Sequence, residues 1–200
     1  MLSTPSAEHV MAMPTVSHPI TTVEALLALP DDGLRHELLD GEHVVTPAPA
    51  LVHQRAVGLL FVPLTHYLSD RRDVELFTSP ADVVLGPKIL VQPDLFVARR
   101  PPDGLRTWAD VGVPVLAIEI LSPGTAARDR GTKRAIYQRE GVTEYWIVDL
   151  DARLVERWRP DDERPEILRE RLEWRATERG EAFAFELTEF FAAVWEDVRE

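Results

Sequence analysis

The chain has 200 residues, 45% of them hydrophobic and 28% charged, with 22 basic and 34 acidic side chains and a formal net charge of −12. These fractions describe a globular chain long enough to bury a core as one domain. The absence of cysteine excludes disulfide frameworks, thiolate nucleophiles and Cys-ligated zinc or iron–sulfur centres. No apolar run approaches the roughly 18 residues of a membrane span, and the first residues lack the basic start and apolar stretch of a signal peptide. A cytoplasmic protein is therefore expected, and the acidic balance argues against coating nucleic acid by bulk charge while leaving a local basic site open.

Residues 1–19 carry no periodicity and are expected to form a flexible tail ahead of a single domain over residues 20–200. Thr21-Thr22-Val23-Glu24 fits a capping box before a short helix through Leu29, which Pro30-Asp31-Asp32-Gly33 stops. Arg35–Leu39 and Glu42–Thr46 flank Asp40-Gly41, a strong hairpin signal. Leu51–Leu68 reads as a helix, with Val57, Leu60, Phe61, Leu64 and Leu68 repeating at three and four and a kink or break expected at Pro63. Val74–Phe77, Asp82–Leu85 and Ile89–Ala98 read as strands, the last with Pro93 marking an edge or bulge. Val113–Leu121 is the most apolar run and has the pattern of a central strand buried on both faces. Ala126–Glu140 reads as a helix ended by Gly141. Glu144–Leu150, Leu154–Arg159 and Ile167–Trp174 follow as strands, and Phe190–Val198 as a final helix. The order specifies a mixed α/β or α+β fold.

Chemistry concentrates at three positions. Glu119 is the only charged residue between Val113 and Leu121. A carboxylate inside a buried strand is costly unless it is paired or binds a cation. Two readings stay open for it: an ion pair with an arginine of a packed helix, or a metal ligand. Pro-Asp occurs four times, and only Asp94 lies between strand-like runs; the alternative is a turn or edge aspartate. Lys133 is one of two lysines against twenty arginines, on a helix that folds back over the end of the Glu119 strand. Its alternative is a surface pair with Asp129, four residues earlier. Two carboxylates and a lysine are the equipment of metal-assisted phosphodiester hydrolysis: oxygen ligands suit Mg²⁺, and the ammonium orients water or stabilises developing charge.

Other signals are weaker. Arg128 to Arg139 carries a local charge of +4, so Arg130 and Arg134 either contact substrate phosphates or form a solvated face. From Leu150 onward 15 acidic residues oppose 9 basic ones, a poor DNA surface. His36-Glu37-Leu38-Leu39-Asp40 lacks the second histidine of a zinc-protease helix, and no nucleophile elbow, Walker loop or dinucleotide fingerprint is present.

Gln92-Pro93-Asp94-Leu95, Ala117-Ile118-Glu119-Ile120-Leu121-Ser122-Pro123, Asp129 with Lys133, Tyr137, and Gly141-Val142-Thr143-Glu144-Tyr145-Trp146-Ile147-Val148-Asp149 form an ordered set. Together with His36-Glu37-Leu38-Leu39-Asp40-Gly41-Glu42 and Pro47-Ala48-Pro49 with His53, this set resembles the Uma2 family of restriction-endonuclease-like proteins, from Thr21 to Arg159. That family is similar to the PD-(D/E)XK nucleases. The resemblance implies a restriction-endonuclease-like core, a mixed β-sheet flanked by helices. It also implies a DNA endonuclease dependent on Mg²⁺ (or Mn²⁺), acting as a two-fold homodimer. Asp94 and Glu119 would hold the metal, with the Ile120 backbone carbonyl as a third ligand. The wider nuclease pattern has Lys where this chain has Leu121, so the resemblance implies a lysine moved to the following helix, Lys133. Glu37 matches an early family glutamate, as an extra acidic ligand or a simple hairpin residue. His53 either touches substrate or caps its helix. Leu121 and the acidic balance leave a second reading, a catalytically weak or inactive nuclease fold serving as a binding or regulatory module.

Overall fold

The computed structural model describes residues 19–177 and 180–197. Of the expected tail only Pro19 falls among them. Helix α1 (Val23–Leu27) is capped by Thr22, whose Oγ1 accepts the Ala25 N–H at 3.2 Å, so the cap lies one residue later than the capping-box pattern places it. Strands β1 (Arg35–Leu39) and β2 (Glu42–Thr46) form the expected hairpin. Asp40 and Gly41 turn it with φ of 52° and 87°, the left-handed pair that a two-residue turn matching strand twist requires. Helix α2 (Leu51–Leu68) runs unbroken through Pro63, against expectation. Proline removes one hydrogen bond there, but buried Ala56, Leu60, Leu64 and Leu68 press the helix on the core along its whole length.

Next come β3 (Val74–Thr78), β4 (Val83–Gly86), β5 (Ile89–Val91), β6 (Leu95–Arg99) and β7 (Leu116–Ile120). The run expected as one strand over Ile89–Ala98 is two strands in two different sheets. Gln92-Pro93-Asp94 is the corner between them, at a proline that has no N–H to give a ladder. After β7 the helical segment is α3 (Ala126–Arg128), a π-helical turn over Asp129–Lys133, and α4 (Arg134–Arg139). Gly141, at φ 82°, ends it: its N–H reaches the Gln138 carbonyl at 3.3 Å and the Val142 N–H reaches Tyr137 at 2.9 Å, a Schellman closure. Strands β8 (Glu144–Asp149), β9 (Leu154–Trp158), β10 (Glu166–Leu168), β11 (Arg171–Trp174) and β12 (Phe183–Glu186) precede helix α5 (Leu187–Val194). The stretch read as a single strand from Ile167 to Trp174 is divided between β10 and β11, β12 was not expected, and α5 starts three residues early and ends at Val194, while Val198 of the expected helix lies outside the described residues.

The six-stranded sheet has the order β10-β9-β8-β7-β6-β3, with β7 antiparallel to β6 and parallel to β8. A four-stranded sheet, β2-β1-β5-β4, carries the hairpin. On β7, Leu116, Ile118 and Ile120 join an apolar cluster with α2 and α5, while Ala117 faces Phe96, Tyr137, Tyr145 and Ile147 on the opposite side. This is a mixed α+β fold with multi-stranded sheets flanked by helices.

Candidate active site

The pairing of Leu95 with Ile118 and Phe96 with Ala117 decides the site's geometry. Continued by one step, that register sets Asp94 opposite Glu119, and directly opposed residues of an antiparallel pair share a face. Glu119 therefore points to the side away from the α2–α5 cluster, toward the hairpin sheet and the helical segment after β7. Glu37 enters from β1 and Lys133 from the π-helical turn. All four side chains are buried, at 1–3% exposure.

Asp94 and Glu119 each have one oxygen held by the fold and one turned to the Arg35 guanidinium. Asp94 Oδ2 accepts the Ile120 N–H at 2.8 Å and lies 3.1 Å from His53 Nε2. Its Oδ1 accepts from Arg35 Nη1 at 3.0 Å. Glu119 Oε1 accepts from Lys133 Nζ at 2.8 Å and from the Tyr137 hydroxyl at 3.1 Å, while Oε2 faces Arg35 Nη2 at 3.6 Å. Glu37 Oε1 takes Lys133 Nζ at 2.8 Å and the Gln92 N–H at 2.8 Å. Lys133 is thus fixed between two glutamates, with Asp129 Oδ1 3.9 Å away. Asp129, Lys133 and Tyr137 follow one another at intervals of four on the inner face, and the π-helical turn is a local widening of the kind often found at functional sites.

The electrostatics follow from burial and from too few cations. Four carboxylates (Glu37, Asp94, Glu119 and Asp129) face two full cations, Arg35 and Lys133. Burial pushes Glu119 up to about 8, and the charges of Asp94 and Asp129 add to it against the pull of Lys133. Burial also tends to raise Asp94, but the His53 hydrogen bond and the Arg35 charge outweigh it and hold the group at about 2. Burial opposes the Lys133 charge; Glu119 and Glu37 overcome it and raise its pKa. Glu37 is lowered, because Lys133, Arg35 and the Gln92 N–H outweigh its burial. Asp129 is raised by burial.

A cavity of about 740 Å³ opens over this cluster, lined by Arg35, Glu37, His53, Asp94, Glu119 and Lys133 among others. Among the described residues no three His, Cys, Asp or Glu side chains are grouped as a metal cage. The donor set expected here is smaller: two carboxylates and the Ile120 carbonyl. Its chemistry fits a hard divalent ion, since the ligands are all oxygen and four carboxylates face only two cations.

Of the remaining sequence candidates, His53 contacts Asp94, and α2 has no side-chain cap. Arg130 and Arg134 do not line the cavity. Arg130 is held by Asp149 and Glu156, each at 2.6 Å, and Arg134 lies over the Trp158 ring at 4.8 Å and bonds Gln138. Sequence reasoning missed Arg35, one arginine among twenty; its only signal was the strand alternation that puts it on the same face as Glu37. It also took the Asp129–Lys133 spacing as a candidate surface pair, and no candidate role was given to Tyr137.

Fold and site together define a restriction-endonuclease-like α+β protein. The Uma2 family model, described as "Putative restriction endonuclease", matches residues 23–188, and the chain belongs to that family. Among solved structures it is similar to a putative nuclease belonging to DUF820 from Anabaena variabilis ATCC 29413. That likeness has a TM-score of 0.72 at 20% identity, covering 86% of this chain and 98% of the other. No curated protein matches the chain. Among the described residues no helix is long and apolar enough to cross a membrane.

Proposed function

We propose that the protein is a cytoplasmic DNA endonuclease that hydrolyses phosphodiester bonds with Mg²⁺ or Mn²⁺, and that it works as a homodimer. One observation carries the reading: Asp94, Glu119, Lys133 and Glu37, which come from four separate segments, meet at one buried point under an open cavity. Asp94 and Glu119 would hold the cation, with the Ile120 carbonyl beside them. When bound, a divalent ion polarises the phosphodiester and makes water acidic enough to attack. Lys133 stays protonated between Glu37 and Glu119, where its charge orients the attacking water and offsets negative charge developing on the phosphoryl oxygens. Glu37 and Tyr137 position that machinery, Glu37 by anchoring Lys133 and Tyr137 by fixing Glu119. His53 steadies Asp94 from the cavity side. The inactive-module reading drew on Leu121 and the acidic balance; an ammonium 2.8 Å from Glu119 answers the first by supplying the charge missing at that position, so the catalytic reading is favoured.

The test is cleavage of supercoiled DNA with and without Mg²⁺ or Mn²⁺, with Glu119→Gln as control. Metal-dependent nicking that Glu119→Gln abolishes supports the assignment. Cleavage that ignores both the metal and the substitution sinks it. Sedimentation of the full chain with and without DNA checks the dimer.

A further inference from the structure

We infer that Arg35 is the resident counter-cation of the Asp94–Glu119 pair, displaced from it by the divalent ion and thereby turned to a phosphate oxygen of the substrate. The inference rests on the nuclease reading above and adds a residue with a two-position role.

The first ground is the division of the carboxylate oxygens. Asp94 Oδ2 and Glu119 Oε1 are held inside the protein by the Ile120 N–H, His53, Lys133 and Tyr137. The other two oxygens, Asp94 Oδ1 and Glu119 Oε2, are turned to Arg35 at 3.0 and 3.6 Å. A cation held by both carboxylates would draw on those two oxygens, the ones not already bonded inside the protein. Guanidinium and metal ion would then compete for them, by space and by charge.

The second ground is how loosely Arg35 is held compared with Lys133. A guanidinium has five N–H donors, yet Arg35 makes one hydrogen bond within the cluster, from Nη1, while its Nε and Nη2 are buried without a hydrogen-bond partner. Lys133 by contrast has two carboxylate oxygens at 2.8 Å and is only 3% exposed. Buried unpaired donors favour any rearrangement that satisfies them.

The third ground is where the side chain can go. Arg35 is 20% exposed, opens β1 directly after Gly33-Leu34, and lines the cavity. Pushed off the carboxylates, its planar fork faces the space a phosphodiester would enter, and two donors in a plane match two phosphate oxygens.

The decisive experiment compares the full-length wild type with Arg35→Met in two binding assays. Mn²⁺ affinity is read by electron paramagnetic resonance without DNA, and duplex affinity by anisotropy in Ca²⁺. Losing the competing charge should tighten Mn²⁺ binding at least about tenfold, while losing the phosphate ligand should weaken DNA binding several-fold. A residue with a merely structural role would move both affinities in the same direction. Mn²⁺ affinity that is unchanged or weaker in Arg35→Met, with wild-type binding intact, overturns the inference and leaves the nuclease reading standing. No Mn²⁺ binding by either protein overturns both. Should the variant fail to fold, a crystal structure of the wild type with Mn²⁺ decides: Arg35 released from Asp94 supports the exchange, and Arg35 still bonded to Asp94 Oδ1 beside a bound ion refutes it.

Discussion

The two faces of strand β7 differ in what they are built to do. Leu116, Ile118 and Ile120 point into an apolar cluster closed by α2 and α5, where every contact is dispersion and burial. One residue out of step, Glu119 points at three further carboxylates and two cations that only partly neutralise them. The first face contributes stability and contains nothing reactive. The second concentrates charge where burial makes charge expensive, an arrangement that natural cores seldom keep for stability. Five residues of one strand thus divide into an apolar face and a charged one, separated by the two-residue repeat of the strand.

The largest effect that would sharpen this contrast is Lys133→Met. The polar face should lose cleavage by about 10²–10⁴-fold, the range for removing a positioned proton-handling or charge-stabilising group. The double anchor on Glu37 and Glu119 also disappears, so some loss of stability accompanies it. Steady-state cleavage and urea unfolding on the same preparation separate the two. Activity within a few-fold of wild type would show that the ammonium is structural.

On the opposite face, Ile118→Ala should cost about 2–5 kcal/mol of folding free energy, because Ile118 is fully buried and its cavity cannot collapse between two packed helices and the sheet. Cleavage per folded molecule should not change. If cleavage per folded molecule fell together with stability, the two faces would not be independent.

A pH series compares the faces without changing geometry. Glu119 sits at about 8 in the fold against an ordinary 4.5, so between those values the folded chain keeps a proton that the unfolded chain has released. Stability from this group should therefore fall as pH rises from 4.5 to 8. Asp94 works in the opposite sense: lowered from 3.8 to about 2, it stabilises above 3.8 and that contribution is lost as pH falls toward 2. Urea midpoints for wild type and Glu119→Gln across pH 5–9 should show the variant gaining on the wild type as pH rises. Parallel curves would mean that Glu119 is ionised throughout.

What the sequence disclosed followed a physical rule. Asp40-Gly41 was legible because a two-residue turn needs left-handed backbone, and Val113–Leu121 because a strand covered on both faces has no polar alternation. Asp94 and Glu119 stood out as carboxylates within strand-like apolar runs, and Lys133 as one of two lysines, on the helix that follows the Glu119 strand. The failures have equally local causes. Ile89–Ala98 looked continuous because apolarity does not reveal which sheet a residue joins; only the corner at Pro93 does. Pro63 did not break α2, because tertiary packing along Leu60, Leu64 and Leu68 outweighs one missing hydrogen bond. Arg35 was hard to single out since it comes from the hairpin, 59 positions before the Asp94 it binds, and only its alternation with Glu37 on β1 marks it. Asp129 had the spacing of a surface pair, and only the π-helical turn and the sheet beneath it show that the spacing faces inward.

The smallest effect concerns the basic segment after β7, where charge alone could not distinguish one arginine from another. Arg130 is 40% exposed but committed to Asp149 and Glu156, and Arg134 is stacked on Trp158; Arg128 lines the cavity. A side chain already paired with two carboxylates has little left to offer a phosphate, and an exposed pair of that kind contributes about 0–1 kcal/mol to folding. Arg130→Ala should therefore leave duplex affinity within about twofold. Arg128→Ala should weaken it by a few-fold and lower the slope of log affinity against log salt by about one, the mark of one lost phosphate contact. Anisotropy titrations in Ca²⁺ at several salt concentrations measure both. If Arg130→Ala flattens the slope and Arg128→Ala does not, DNA runs over the β8–β9 side of the helix, and the contact surface expected around the cavity is misplaced.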